Sequence, residues 1–198
     1  MMWINKMIAG MLPFMPKDLV WLFSKRYIAG KKIENAIEVS RKLNQEGMMV
    51  TVDLLGEFIT ELNQAEDNKN QYLQIIETIQ QAGIDGNYSL KPTMFGLLLD
   101  KEICYAYIRD ITAKAACYNN FIRIDMEDSQ CVDLEIELFR KIKSEFPKNV
   151  GLVLQAYLKR THSDIQQMLD LNTAETPVNY RLCKGIYVEP EKIAYKKY

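Results

Sequence analysis

The sequence predicts an α/β protein, a (βα)8-type barrel related to the TIM barrel, here incomplete at about five strands and preceded by an N-terminal helical arm. Three observations lead there. From Gly30 onward an amphipathic helix, a short break and a short apolar run recur every roughly 30 to 40 residues, the spacing that parallel strands with helical crossovers require. The apolar runs end in side chains able to do chemistry: Asp53, Lys91, Asp125, Gln155, and finally Arg181 with Lys184. No Gly-x-Gly-x-x-Gly follows any run, which removes support for a Rossmann dinucleotide site. A doubly wound sheet satisfies the periodicity alone. A barrel also explains the polar strand ends, because it gathers them at one mouth.

The elements follow in order. Ile33, Ala36, Ile37, Ser40 and Leu43 share one face of a helix over 32–46, and Gly47 suits the left-handed position beyond its end. The run 48–55 (MMVTVDLL) reads as a strand. A helix over 71–82 turns Tyr72, Ile75, Ile76 and Ile79 inward and stops at Gly83. Strand 87–91 (NYSLK) is closed by Pro92, and a helix over 101–117 is broken by Tyr118-Asn119-Asn120. Strand 121–125 (FIRID) precedes a helix over 132–146 that groups Ile136, Phe139 and Ile142 ahead of Pro147. Strand 150–155 (VGLVLQ), a shorter helix over 164–171 and strand 178–183 (VNYRLC) complete the series. Two regions are expected, an arm over 1–46 and a partial barrel over 47–198.

Composition limits the function classes. The formal net charge is −1 and the basic residues are dispersed, so no nucleic-acid partner is expected. Cys104, Cys117, Cys131 and Cys183 form no Cys-x-x-Cys pair and His162 is the single histidine, so no metal site is expected and the cysteines read as reduced cytosolic thiols. The apolar N-terminus is interrupted by Lys6, Pro13, Pro16 and Lys17, too broken to span a bilayer or serve as a secretory signal. It reads as an arm packed on the domain, with peripheral membrane contact as the alternative. Met48, Met49, Met94 and Met168 read as packing, Tyr105, Tyr107 and Tyr118 as helix-face residues, and His162 as a solvated or capping group. Asp53 and Glu57 could equally be structural partners of a lysine or arginine inside the barrel.

Five segments carry a resemblance: Val52-Asp-Leu-Leu-Gly-Glu57, Leu90-Lys-Pro-Thr93, Arg123-Ile-Asp-Met-Glu-Asp128, Leu154-Gln-Ala-Tyr157 and Arg181-Leu-Cys-Lys-Gly-Ile-Tyr187. In this order, each at a strand end, they resemble the motifs of the proline dehydrogenase family, as does Arg26-Tyr-Ile-Ala-Gly30 ahead of the first strand. The resemblance spans roughly residues 25 to 190. It implies an enzyme that oxidises L-proline to Δ1-pyrroline-5-carboxylate, with hydride transfer to noncovalent FAD and electrons passed to a quinone. It implies Asp125 and Arg181 closest to the chemistry. Lys91 and Asp53 would stand beside the substrate, with Leu182 and Tyr187 walling its pocket. Met126, Gln155, Arg181, Lys184, Gly185 and Ile186 would stand on the flavin side. Arg181 suits that place because a guanidinium keeps its charge and offers planar donors, and Gln155 because an amide can both donate and accept. No histidine in this set offers a base for the proline nitrogen, and the proton acceptor is unassigned.

The sequence departs from the family pattern in three respects. Cys183 and Ile186 stand where the motif usually has Val and Ala; the first is nearly volume-neutral, the second adds bulk. The family's Tyr-x-x-Arg-Arg-x-x-Glu motif, whose arginines hold the substrate carboxylate, is absent from these 198 residues. A fragment, a truncated gene product, or a chain completed by another polypeptide is therefore expected, one that on its own binds proline poorly and purifies without flavin and inactive. The rival readings are an inactive product serving as a binding module, and a Schiff-base aldolase using Lys91 or Lys184. A cytoplasmic location, or one peripheral to the inner face of the membrane, is expected.

Overall fold

The computed structural model describes Pro16 and residues 28–196. Of the arm expected over 1–46, the other residues before 28 lie outside the described residues. Two compact units result, one ending at Met48 and one beginning at Met49. In the first, α1 (Ile33–Gln45) ends against Gly47 at φ +80, the left-handed stop its sequence suggests. Among the described residues no helix is long and apolar enough to cross a membrane.

The second unit alternates strand and helix: β1 (Val50–Asp53), α2 (Leu62–Gln81), β2 (Gly86–Leu90), α3 (Lys101–Cys117), β3 (Ile122–Ile124), α4 (Val132–Glu145), β4 (Val150–Gln155), α5 (Thr161–Gln167) and β5 (Asn179–Cys183). The strands form one sheet in sequence order, every pairing parallel. The result is a half-barrel with all its strand C-termini on one side.

Period-two alternation divides each strand between two environments. Tyr88, Leu90, Ile122, Ile124, Val150, Leu152 and Leu154 are buried on the helix side with Tyr72, Ile76, Ile108, Ile111, Phe139 and Ile142. The inner side is polar. Register puts Ser89 beside Arg123, and Arg123 beside Gly151, which is in turn beside Asn179. The Arg123 guanidinium donates to Asn179 Oδ1 (3.0 Å) and lies 5.1 Å from the centre of the Phe121 ring. A side chain at Gly151 would collide with that ring and with the Asn179 carbonyl, each 2.6 Å from its Cβ, so glycine keeps this crossing open.

Helix α3 matches its expected bounds because a cap starts it. Asp100 accepts from the N–H groups of Glu102 (3.0 Å) and Ile103 (3.1 Å). Helix α2 begins at Leu62, nine residues before the expected start at Gln71. Its first turns are polar apart from Leu62 and Ala65, so apolar periodicity does not reveal them. Their support is local: Gln64 Oε1 accepts from Thr60 N–H, and Asn68 Nδ2 donates to Met94 O (2.8 Å) in the 3-10 turn Pro92–Phe95. Strands β1, β3 and β5 are shorter than their apolar runs, β2 lies one residue earlier than expected, and β4 matches its run. The helix expected over 164–171 is instead α5 followed by a 3-10 turn, Leu169–Leu171.

Two substitutions separate capping from core packing. Asp100→Ala should cost about 1 kcal/mol of unfolding free energy. Phe139→Ala, at a fully buried ring, should cost about 3–5 kcal/mol. Urea midpoints at constant slope measure both, and equal losses would contradict this assignment of the core.

Candidate active site

The strand ends assemble a charge cluster. Lys91, just past β2, places its ammonium 2.9 Å from Asp53 Oδ2 and 3.9 Å from Asp125 Oδ2. Arg181 of β5 crosses to Asp125 Oδ1 at 2.6 Å and to Ser89 Oγ at 3.2 Å. Ser89 also donates to Asp125 Oδ1, so this one oxygen accepts from a hydroxyl and a guanidinium. Two cations and two carboxylates balance formally. Burial raises the Asp125 pKa above the ordinary carboxylate range, with Ser89, Arg181 and Lys91 opposing that rise. At Lys91 burial would lower the pKa, but the bond and charge of Asp53, then Asp125 and Glu127, hold the ammonium above its ordinary value.

Tyr72 of α2 orients the first carboxylate. Its hydroxyl donates to Ser89 O (2.7 Å), lies 3.3 Å from Asp53 Oδ1 and accepts from Leu54 N–H (3.2 Å). Apolar spacing identifies Tyr72 only as a core residue, because its hydroxyl role depends on strands distant in sequence.

Gln155 ends β4 buried, its amide nitrogen donating to Met126 O (2.9 Å) and Glu127 O (2.6 Å). Its Oε1 has no hydrogen-bond partner among the described residues, and neither does Arg181 Nε; both atoms are buried. Native structures rarely leave such atoms unpaired, and an ordered water or a bound polar group would complete both. Beyond β5 the backbone turns through Gly185 at φ +105, a conformation other residues resist, where a Cβ would lie 2.2 Å from the Tyr157 ring. The Tyr157 hydroxyl donates to Tyr187 O (3.0 Å), and the Tyr187 hydroxyl reaches Glu57 Oε2 (3.3 Å).

The structure therefore brings Asp53, Lys91, Asp125 and Arg181 into one cluster, with Met126 and Gln155 joined beside it and Tyr187 tied to Glu57. Leu182 stands apart: it follows Arg181 on β5 and so faces the opposite side, 63% exposed. Lys184 is exposed, and Ile186 is 86% exposed. Among the described residues no group of His, Cys, Asp and Glu could hold a metal ion.

A second set of acids lies behind the cluster, unassigned by the sequence reading although Glu127 stands inside one of its motifs. Glu127 accepts from Thr93 N–H (2.9 Å) and Thr93 Oγ1 (2.6 Å). Glu135 of α4 accepts from Glu127 N–H (2.9 Å). Both are essentially buried, at 1% and 0% exposure, so neither has water to stabilise its charge. Burial pushes Glu127 up to about 7, against the two Thr93 bonds, and holds Glu135 well above its ordinary value.

Parallel strands with helical crossovers, gathering their charged C-terminal ends on one side, define a half-barrel of the β/α-barrel class. The sequence profile of the proline dehydrogenase family matches residues 36–197. The chain belongs to the proline dehydrogenase family. It is 35% identical over 174 residues to proline dehydrogenase 1 of Bacillus subtilis subsp. natto, covering 88% of this chain and 56% of that relative. It is 36% identical over 183 residues to the proline dehydrogenase of Deinococcus radiodurans, covering 90% and 57%. The crystal structure of proline utilization A (PutA) from Bdellovibrio bacteriovorus superposes with a TM-score of 0.77 at 25% identity, over 85% of this chain and 21% of that one. The chain thus spans a little over half the length of these proline dehydrogenases.

The buried acids set a pH dependence. Glu127's folded pKa, about 7, is raised from 4.5, so its burial is tolerated fully below 4.5 and disfavoured increasingly up to 7. Unfolding free energy should fall by about 3 kcal/mol across that window from Glu127 alone. Glu127→Gln should flatten the decline in urea melts between pH 5 and 8. An unchanged slope would place the dependence elsewhere.

Proposed function

We propose that this chain carries the flavin-facing part of a proline dehydrogenase site, acting in the oxidation of L-proline to Δ1-pyrroline-5-carboxylate with FAD as acceptor and a quinone beyond it. The reading rests above all on Gln155 Oε1 and Arg181 Nε, two buried polar atoms without partners beside the Asp53–Lys91–Asp125–Arg181 cluster. An acceptor and a charged planar donor suit an isoalloxazine edge, which presents carbonyl and N–H groups. FAD, when bound, supplies the two-electron acceptor that no side chain provides.

The chain's own residues then divide the work. Arg181 holds positive charge beside the flavin, where it favours the reduced form, and Asp125 fixes its direction through the 2.6 Å contact. Lys91, anchored by Asp53, offers an ammonium to the substrate carboxylate. Tyr187 closes the pocket from the loop after β5, and Lys184, Gly185 and Ile186 present the turn after β5 to the flavin. The paired-arginine motif is not among these residues, so a completing polypeptide that brings one would raise proline affinity. The same reading places the chain in the cytoplasm, or against the inner face of the membrane where a quinone could be reached.

A Schiff-base aldolase needs a lysine that gives up its proton readily. Lys91 is held charged by two carboxylates, which speaks against it, and Lys184 is exposed rather than desolvated.

The test is FAD titration of the purified chain, followed by flavin fluorescence. Binding should weaken about tenfold or more in Arg181→Met, which removes charge-assisted donors but keeps most of the volume. Gln155→Leu should weaken it less. Undiminished affinity in both variants, or no flavin binding by the parent chain, would defeat this reading.

A further inference from the structure

We propose that Glu127 is a positioning residue, which holds the loops after β1 and β2 in the arrangement that presents Glu57 and Lys91 to the mouth. The function it positions rests on the flavin and proline reading above; the clasp itself rests on geometry alone.

The clasp is continuous through four groups. Glu135 Oε1 accepts from Glu127 N–H, so helix α4 fixes the Glu127 backbone. The Glu127 carboxylate takes both polar hydrogens that Thr93 offers, one from its N–H and one from its hydroxyl. Thr93 Oγ1 in turn accepts from Phe58 N–H at 2.9 Å. Phe58 sits at φ +50, a conformation a bulky non-glycine residue adopts only when its surroundings hold it there. Its chain neighbour is Glu57, which receives the Tyr187 hydroxyl. On the other side Thr93 lies two residues after Lys91, and Pro92 between them is buried and fixes the backbone direction. One carboxylate thus sets the exit of β2 and, through a single hydroxyl, the strained turn beyond β1.

Several titratable groups face Glu127: Glu57 on the β1 loop, Lys91 at the end of β2, Cys104 on α3, Cys131 and Glu135 at α4, and Tyr187 beyond β5. Lys91 is the one cation in this set, and Glu127 adds to the charges holding it protonated. Acids outnumber it, so the clasp is sensitive to the Glu127 proton. With the carboxylate neutral, its pull on the Thr93 hydrogens weakens by roughly half, because charge-assisted bonds are about twice as strong as neutral ones.

The deciding experiment uses the whole 198-residue chain without added ligand. The amide resonances of Thr93 and Phe58 should titrate together, with a midpoint near the Glu127 value of about 7, and Glu127→Gln should abolish that transition in both. In Glu127→Gln the Lys91 ammonium should also titrate at lower pH. With FAD bound, Thr93→Val should raise the proline concentration needed to perturb the flavin spectrum about tenfold, leave FAD affinity within about twofold, and be rescued by Thr93→Ser. A purely structural role would lower both affinities together. Amides that do not move between pH 5 and 9, or that move equally in Glu127→Gln, would overturn the clasp. Equal proline response in Thr93→Val would overturn its positioning role. If the parent chain takes up no flavin, the functional reading fails, and the amide titration still decides the clasp.

Discussion

Parallel pairing is the constraint from which the site follows. When five strands run the same way and a helix or turn returns the chain each time, every strand must finish on the same side. Residues as distant in sequence as Asp53 and Arg181 then become neighbours of Asp125 without any local signal linking them. The inner face can be polar because the apolar burial is supplied on the other side, where the helices lie. Sheet and site are therefore one decision: the alternation that buries Leu90 and Ile124 turns Ser89 and Arg123 inward.

Charge within that inner face is tolerated because it is paired and shared. Removing a carboxylate and an ammonium from water costs several kcal/mol for each ion, and only close geometry with further hydrogen bonds repays it. Asp125 meets the condition with a guanidinium, a hydroxyl and a nearby ammonium. The Glu127–Glu135 pair meets it differently. Among the described residues it has no cation in direct contact, so its members are held toward the neutral state, and it orders backbone rather than balancing charge.

The sequence made legible what repeats and what terminates. Helix α3 and strand β4 have the expected limits because Asp100, the Tyr118–Asn119 break and the continuous apolar run VGLVLQ are local signals. The first turns of α2 were hidden because polar side chains cap them and one alanine packs them. At the site the strand-end charges could be read one by one, whereas Tyr72, Ser89 and Thr93 could not. Their roles come from hydroxyls aimed at groups 17 to 36 residues away. Ser89 did carry a faint signal, two positions before Lys91 and so on the same face of the strand. Glu127 stood within a motif that named no role for it and Glu135 carried no signal, since an acid's burial is decided by what folds over it.

The segment after β5 shows how far the site depends on loops rather than strands. Gly185 turns the chain onto the Tyr157 ring, and Tyr157 holds Tyr187 by its carbonyl. Glu189 accepts from Ser129 N–H (2.6 Å) and Ser129 Oγ (2.8 Å), next to the start of α4, where a negative charge is favoured by the helix dipole. Farther on, Tyr195 N–H donates to Tyr157 O, and Leu158 bridges Ala194. Strand β5 itself has a single neighbour among the described residues, so its pairing alone would leave these residues poorly fixed. It is attachment to the loops after β3 and β4 that gives Lys184 through Tyr187 a defined place.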